Sequence, residues 1–134
     1  MTEKFTAARV LIVDDEGLIR WALRRALIGR GASVEEAVDA RTAMLAASQS
    51  ETPFDAVVLD LKLPDSDDLG LLSTLRRQLP AARIIVMTAF GSEETCAEAL
   101  RLGAFRVVQK PFDVKSLAAE VLGGQEGAQA PGVS

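Results

Sequence analysis

The sequence predicts an α/β fold: a five-stranded parallel sheet, doubly wound with five helices. Two observations carry this expectation. Apolar, β-branched runs recur along the 134 residues without alternating with polar ones. Such a run fits a strand buried on both faces, as in a parallel sheet. Each run is followed by a segment with apolar residues at helical spacing. Strand–helix alternation of this kind implies parallel strands covered by helices on both faces, with right-handed crossovers. A chain of this length buries about two-thirds of its surface on folding, enough for a core without staples.

The elements follow in order. Met1 to Ala8 is a polar lead-in. Arg9-Val10-Leu11-Ile12-Val13 is the first strand, running into Asp14-Asp15-Glu16-Gly17. Leu18, Ile19, Ala22, Leu23, Ala26 and Leu27 then share one helical face, with Trp21 at its edge and Gly31 as the residue after the C-cap. Ala32 to Ala37 is a more polar strand and belongs at a sheet margin. Asp39 to Ser48 is an Ala-rich helix with Met44 and Leu45 as its largest apolar residues.

Asp55 to Asp60 is the third strand. Four apolar residues run unbroken into Asp60, and Leu61-Lys62-Leu63-Pro64 follows. Asp65-Ser66-Asp67-Asp68 reads as a turn-and-cap cluster. Leu69, Leu72, Leu75 and Leu79 form the next helical stripe, closed by Pro80. Arg83 to Met87 is the fourth strand, ending at Thr88-Ala89-Phe90-Gly91. Ser92 caps a helix that runs to about Leu102 and stops at Gly103. Phe105 to Val108 is the last strand, ending at Lys110-Pro111-Phe112. Asp113 caps the last helix, whose stripe is Val114, Leu117, Ala118, Val121 and Leu122. Domain organisation is therefore a lead-in over 1–8, one domain over 9–122, and a flexible tail or linker start over 123–134.

Composition removes several function classes. There is no histidine, so no His general base, catalytic triad or His-containing zinc site. The single cysteine, Cys96, excludes an internal disulfide and points to a reducing compartment, hence the cytoplasm. No apolar run approaches a membrane span, and the first residues lack a signal-peptide layout. Net charge is -4 and the arginines occur in short pairs, which argues against direct nucleic-acid binding.

The residues that end the strands carry the chemistry. They are Asp14-Asp15, Asp60, Thr88 and Lys110, separated by 46, 28 and 22 residues from Asp14 onward. One strand–helix unit here takes 22 to 28 residues, and 46 is two of them, so these are equivalent points of successive units. In a parallel sheet they share one edge, where open α/β sheets bind ligands. Alone, Asp14-Asp15 reads as a turn or cap pair, Thr88 as a capping hydroxyl and Lys110 as a solvated lysine. Together they make a crevice of three carboxylates, a hydroxyl and an ammonium. Close acids repel, so one carboxyl should titrate above its usual range unless a cation is present. Oxygen ligands without His or Cys point to Mg²⁺. Asp60 is then a nucleophile available for an aspartyl phosphate, with Lys110 and Thr88 to hold phosphoryl oxygens.

Four stretches bring out a resemblance: Leu11-Ile12-Val13-Asp14-Asp15-Glu16, Asp60-Leu61-Lys62-Leu63-Pro64-Asp65, Thr88-Ala89-Phe90-Gly91-Ser92 and Lys110-Pro111-Phe112-Asp113. Over about residues 8–122 the chain resembles the receiver domain of bacterial two-component response regulators. Ile19-Arg20-Trp21-Ala22-Leu23 and the Thr88 to Ser92 run resemble the nitrogen-regulator (NtrC-type) branch. The resemblance implies a flavodoxin-like sheet of order 2-1-3-4-5. It implies Asp60 as phosphoacceptor, with Asp15, Asp60 and the Lys62 carbonyl as direct Mg²⁺ ligands and Asp14 acting through water. It also implies Thr88, Ala89 and Lys110 around the phosphoryl group, and a cis bond before Pro111. A sensor histidine kinase would supply the phosphoryl group, a homodimer would be favoured by phosphorylation, and a C-terminal effector domain would regulate transcription. The chain would be a signalling switch rather than a metabolic enzyme, with self-phosphorylation and autohydrolysis at most.

One position departs from the pattern. Receivers usually carry an aromatic residue on the last strand, three before the lysine; here it is Val107, with no ring to relocate. Readout is therefore expected through the loop and helix after Thr88, with Phe90 as a lever. Two other classes fit less well. A haloacid-dehalogenase-type phosphatase needs an acid two residues after its nucleophile, where this chain has Lys62. A nucleotide or flavin site needs a glycine-rich turn after the first strand, and Asp14-Asp15-Glu16-Gly17 would repel phosphate.

Overall fold

The computed structural model describes residues 7–66, 69–89 and 91–123. Five strands alternate with five helices: β1 (Arg9–Val13), α1 (Gly17–Gly29), β2 (Ser33–Ala37), α2 (Ala40–Gln49), β3 (Ala56–Asp60), α3 (Gly70–Gln78), β4 (Arg83–Thr88), α4 (Glu93–Arg101), β5 (Arg106–Gln109) and α5 (Val114–Leu122). The sheet order is β2-β1-β3-β4-β5, and every pairing is parallel. The polar strand β2 takes one margin, where a strand needs only one apolar face.

Alternate residues of the central strands face two separate cores. Leu11, Val13, Val57, Leu59, Ile84 and Val86 pack against α2, α3 and α4. Val10, Ile12, Ala56, Val58, Ile85 and Met87 pack against α1 and α5 through Leu23, Leu27, Leu117, Ala118 and Val121. Burial on both faces is why these strands are apolar throughout.

Helix ends follow the sequence signals closely. Asp39 caps α2 and Thr42 reciprocates, forming a capping box. Ser92 accepts from the Thr95 N–H at the start of α4, and Asp113 accepts from the Ser116 N–H at the start of α5. Gly31 and Gly103 have φ of 95° and 112°, the left-handed values that favour glycine after a helix. Arg76 binds the carbonyls of Gly103 at 3.0 Å and Leu79 at 2.6 Å, tying the end of α3 to the end of α4.

Three expectations are corrected and one helix is narrowed. Leu18 belongs to the apolar stripe of α1 by spacing but is 76% exposed, because the helix turns the side carrying Ile19, Leu23 and Leu27 to the core. The last strand starts at Arg106, not Phe105. The Phe105 N–H still reaches the Ile84 carbonyl at 2.7 Å, but its exposed ring lies over the Arg83 guanidinium. The helix α3 spans only Gly70–Gln78, so Leu69 and Leu79 flank it while packing in the same core as Leu72 and Leu75, as their spacing predicts, and Leu71 joins them there. Asp65 caps α2 instead of α3, which has no side-chain cap; Asp67 and Asp68 lie outside the described residues.

Leu72 is fully buried in the core shared by β1, β3, α2 and α3. Leu72→Ala is expected to cost about 2–5 kcal/mol, from lost transfer energy and the cavity left behind. Urea unfolding followed by circular dichroism measures it, as a lower midpoint at unchanged slope.

Candidate functional site: an acidic crevice at the carboxyl edge of the sheet

Parallel register brings the strand ends together. Val13 pairs with Leu59, so the next residues, Asp14 and Asp60, leave the sheet side by side. Thr88 pairs with Gln109, which places Lys110 one residue further along the same edge. The Lys110 N–H donates to the Thr88 carbonyl at 2.8 Å. An open depression of about 590 Å³ lies there, lined by Asp15, Glu16, Asp60, Leu61, Lys62, Thr88, Ala89, Thr95 and Lys110. Its position is the one expected for a ligand in a doubly wound sheet.

Asp14, Asp60 and Thr88 are the buried polar residues among those described. Each carboxylate is held by a neighbouring backbone group and by one ammonium. Asp14 Oδ1 accepts from the Glu16 N–H at 2.8 Å, and Asp60 Oδ1 accepts from the Lys62 N–H at 3.1 Å. Lys110 Nζ donates to Asp14 Oδ2 at 3.3 Å, Asp60 Oδ2 at 3.2 Å and Glu16 Oε1 at 3.2 Å. On the other side of Asp14, its carbonyl accepts from Arg20, which also pairs with Glu36.

The electrostatics follow from this crowding. Burial raises the Asp14 pKa above its usual 3.8, and the Asp60 charge pushes the same way; the Glu16 N–H and Lys110 offset this only in part. Burial also works against the Lys110 ammonium, but the attraction of Asp14 and Asp60 outweighs it and raises the pKa above 10.5. The site therefore carries more negative charge than one lysine balances.

Oxygen atoms of Asp14, Asp15 and Asp60 lie within 4.8 Å of one another. The donors are all carboxylate oxygens, with Cys96 the chain's one cysteine and no histidine present. A hard divalent cation fits this donor set and this charge.

The structure brings Asp14, Asp15, Asp60, Lys62, Thr88, Ala89 and Lys110 to one place. The Lys110–Pro111 peptide bond is cis, and Pro111 borders the adjoining groove with Leu18 and Phe112. Val107 stands apart: it is half-buried, packed against the core under α4 rather than on the depression. Phe90 lies outside the described residues.

Three features were missed from sequence. Glu16 is a third partner of Lys110, and only its place in the acidic run hinted at this. Thr95 reaches the rim from the first turn of α4. Gly91 lies against Thr88 so closely that a Cβ there would fall 2.6 Å from the Thr88 Cγ2 atom.

The model of the response regulator receiver domain family matches residues 10–122, and the chain belongs to that family. It is 37% identical over 112 residues to the DNA-binding transcriptional regulator NtrC of Salmonella typhimurium, which places it with the NtrC-type receivers. That match covers 84% of this chain and 24% of the relative, so the chain spans about a quarter of the length of the curated relatives it matches. Among solved structures it resembles a CheY-like receiver domain protein from Methanospirillum hungatei, at TM-score 0.80 and 28% identity over 87% of this chain and 91% of that one. It also resembles a Burkholderia pseudomallei response regulator, at TM-score 0.77 and 32% identity over 85% and 66% of the two chains. That structure contains a phosphorylated aspartic acid, a calcium ion and citrate.

The raised Asp14 pKa makes a stability prediction. In chelator, native Asp14 keeps its proton to higher pH than the unfolded chain does, so its contribution to stability falls as pH rises above 3.8. Asp14→Asn is therefore expected to raise the melting temperature at neutral pH without divalent ions. The gain should shrink as the pH is lowered from neutral into the acid range, where the native carboxyl takes up its proton before the unfolded chain does. Thermal melts across that range check both signs.

Proposed function

We propose that this receiver domain is a phosphorylation switch with Asp60 as its phosphoacceptor. The observation that carries the proposal is the Lys110 ammonium set between Asp14, Glu16 and Asp60 on an open crevice of oxygen ligands. A phosphohistidine on a sensor histidine kinase is the donor, since this chain has no histidine of its own. A carboxylate oxygen of Asp60 attacks the phosphorus in line, the phosphorus–nitrogen bond breaks, and the histidine nitrogen leaves with the electron pair. Hydrolysis by water later returns the carboxylate and inorganic phosphate. The Lys110 ammonium holds a phosphoryl oxygen after Asp60 is modified. Thr88 and the backbone at Ala89 hold others from the opposite wall.

Asp14, Asp15, Asp60 and the Lys62 backbone would hold Mg²⁺. When bound, that ion supplies the positive charge that lets the acids and a phosphoryl group share one site. The role of the chain's own residues is positional. Lys62 orients Asp60 through its N–H, and the buried Asp14 keeps Lys110 within reach of Asp60.

The receiver module spans residues 9–122, with 1–8 and 123–134 outside it. The readout runs through α4, β5 and α5. A homodimer favoured by phosphorylation would use that face, where Leu100 and Phe105 are exposed. NtrC relatives support a C-terminal effector domain and a transcriptional output; the cytoplasm is the compartment of this reading, supported by the single cysteine. No helix among the described residues is long and apolar enough to cross a membrane. The domain itself does not bind nucleic acid directly in this reading, which its net charge of -4 supports.

Incubation with acetyl phosphate, with and without Mg²⁺, tests the reading by intact mass. One phosphate adduct is expected, dependent on Mg²⁺ and absent in Asp60→Ala. An adduct that survives this substitution, or none at all, would falsify it. Lys110→Ala should slow adduct formation by about 10²-fold, the scale of losing one preorganised charge.

A further inference from the structure

The segment leaving β3 carries Lys62 and must hold its shape without regular secondary structure. The Leu61 N–H donates to the Met87 carbonyl at 3.2 Å, and the Lys62 N–H donates to Asp60. The Leu63 side chain is buried, and its backbone exchanges two hydrogen bonds with Ser66, at 2.8 and 3.2 Å. These bonds close a tight turn on itself. Asp65, inside that turn, crosses to another element. Its Oδ1 accepts from the Ala40 N–H at 2.8 Å, and its Oδ2 accepts from the Arg41 N–H at 3.1 Å.

Those two groups are the first N–H donors of α2. A helix leaves its first four N–H groups without intrahelical partners. Here every one is accounted for. The Asp39 N–H donates to Thr42 Oγ1, the Ala40 and Arg41 N–H groups to Asp65, and the Thr42 N–H to Asp39 Oδ1. The helix's own cap therefore satisfies only half of its end. The other half is supplied from the turn beside the acidic crevice, by a carboxylate that also meets the favourable end of the helix dipole. Ala40 and Ala43 are buried in the core, so α2 offers a fixed post for that turn.

We infer that Asp65 is a positioning residue for the metal site: by holding the start of α2 it fixes the turn, and through it Lys62 three residues earlier. Asp65 does not line the depression itself; Lys62 does. The inference rests on the proposed Mg²⁺ site. It differs from a simple capping role, because a cap supports only its helix, whereas this bond also anchors a wall of the crevice.

Calorimetric titration of Mg²⁺ into the wild type, Asp65→Ala, Asp65→Asn and Asp39→Ala separates the two, with circular dichroism confirming that each variant is folded. Asp65→Ala should bind about tenfold more weakly, the usual cost of losing a partner that orients a ligand. Asp65→Asn should fall between, because its one carbonyl oxygen keeps one of the two bonds; it also serves if Asp65→Ala does not fold. Asp39→Ala should match the wild type, although it removes a charge and a cap from the same helix. The inference is overturned if Asp65→Ala binds like the wild type. It is overturned equally if Asp39→Ala loses as much, or if Asp65→Asn is no better than Asp65→Ala. A wild type that binds no Mg²⁺ would instead defeat the metal reading beneath it, and this inference with it.

Discussion

Three acids converge on one ammonium at the edge of the sheet, and much of the structure can be understood from that crowding. Asp14 is wholly buried and Asp60 nearly so, with side-chain exposures of 0% and 6%. Carboxylates at that depth are costly unless each oxygen has a partner. The partners are local N–H groups on one side and Lys110 on the other. Such an arrangement depends on strand register. A slip of one residue in β3 would turn Asp60 to the opposite face and bring Leu59 or Leu61 to the crevice. The apolar character of the central strands thus sets the site as well as the core, because burial on two faces fixes where each strand ends.

Sequence reasoning works well here wherever the information is local or periodic. The unbroken runs through Val10–Val13, Val57–Leu59 and Ile84–Met87 mark buried strands, and the acids, threonine and lysine after them mark the functional edge. Their recurrence at equivalent points of successive strand–helix units is what joins them into one site. Caps such as Ser92 and Asp113 are legible because they bond within a turn of their own position. The misses concern the far reach of side chains. Nothing in periodicity says that Asp65 meets a helix 24 and 25 residues earlier. Nor does it say that Arg76 gathers the Gly103 carbonyl 27 residues on. Leu18 has the spacing of a core residue, but it lies at the margin of its stripe, and spacing does not say how wide a strip of the helix the core covers.

The two cores also differ in what they support. The one beneath α2, α3 and α4 carries the turn after β3 and the helix whose first turn borders Thr88. The other, beneath α1 and α5, carries the acidic run after β1 and the segment after Lys110. The crevice sits above both, and each wall is held by a different set of side chains. Val107 belongs to the first of these cores and keeps to it.

The Lys110 contacts span long stretches of chain: 96 residues to Asp14, 94 to Glu16 and 50 to Asp60. Contacts of such separation are entropically late in folding, because the intervening chain must be ordered before they form. During synthesis the three acids emerge well before their counter-ion, and the balance of charge at the edge waits for β5 to join the sheet. The completed site is in this sense a proofreading mark: its geometry exists only in a chain that has placed its last strand.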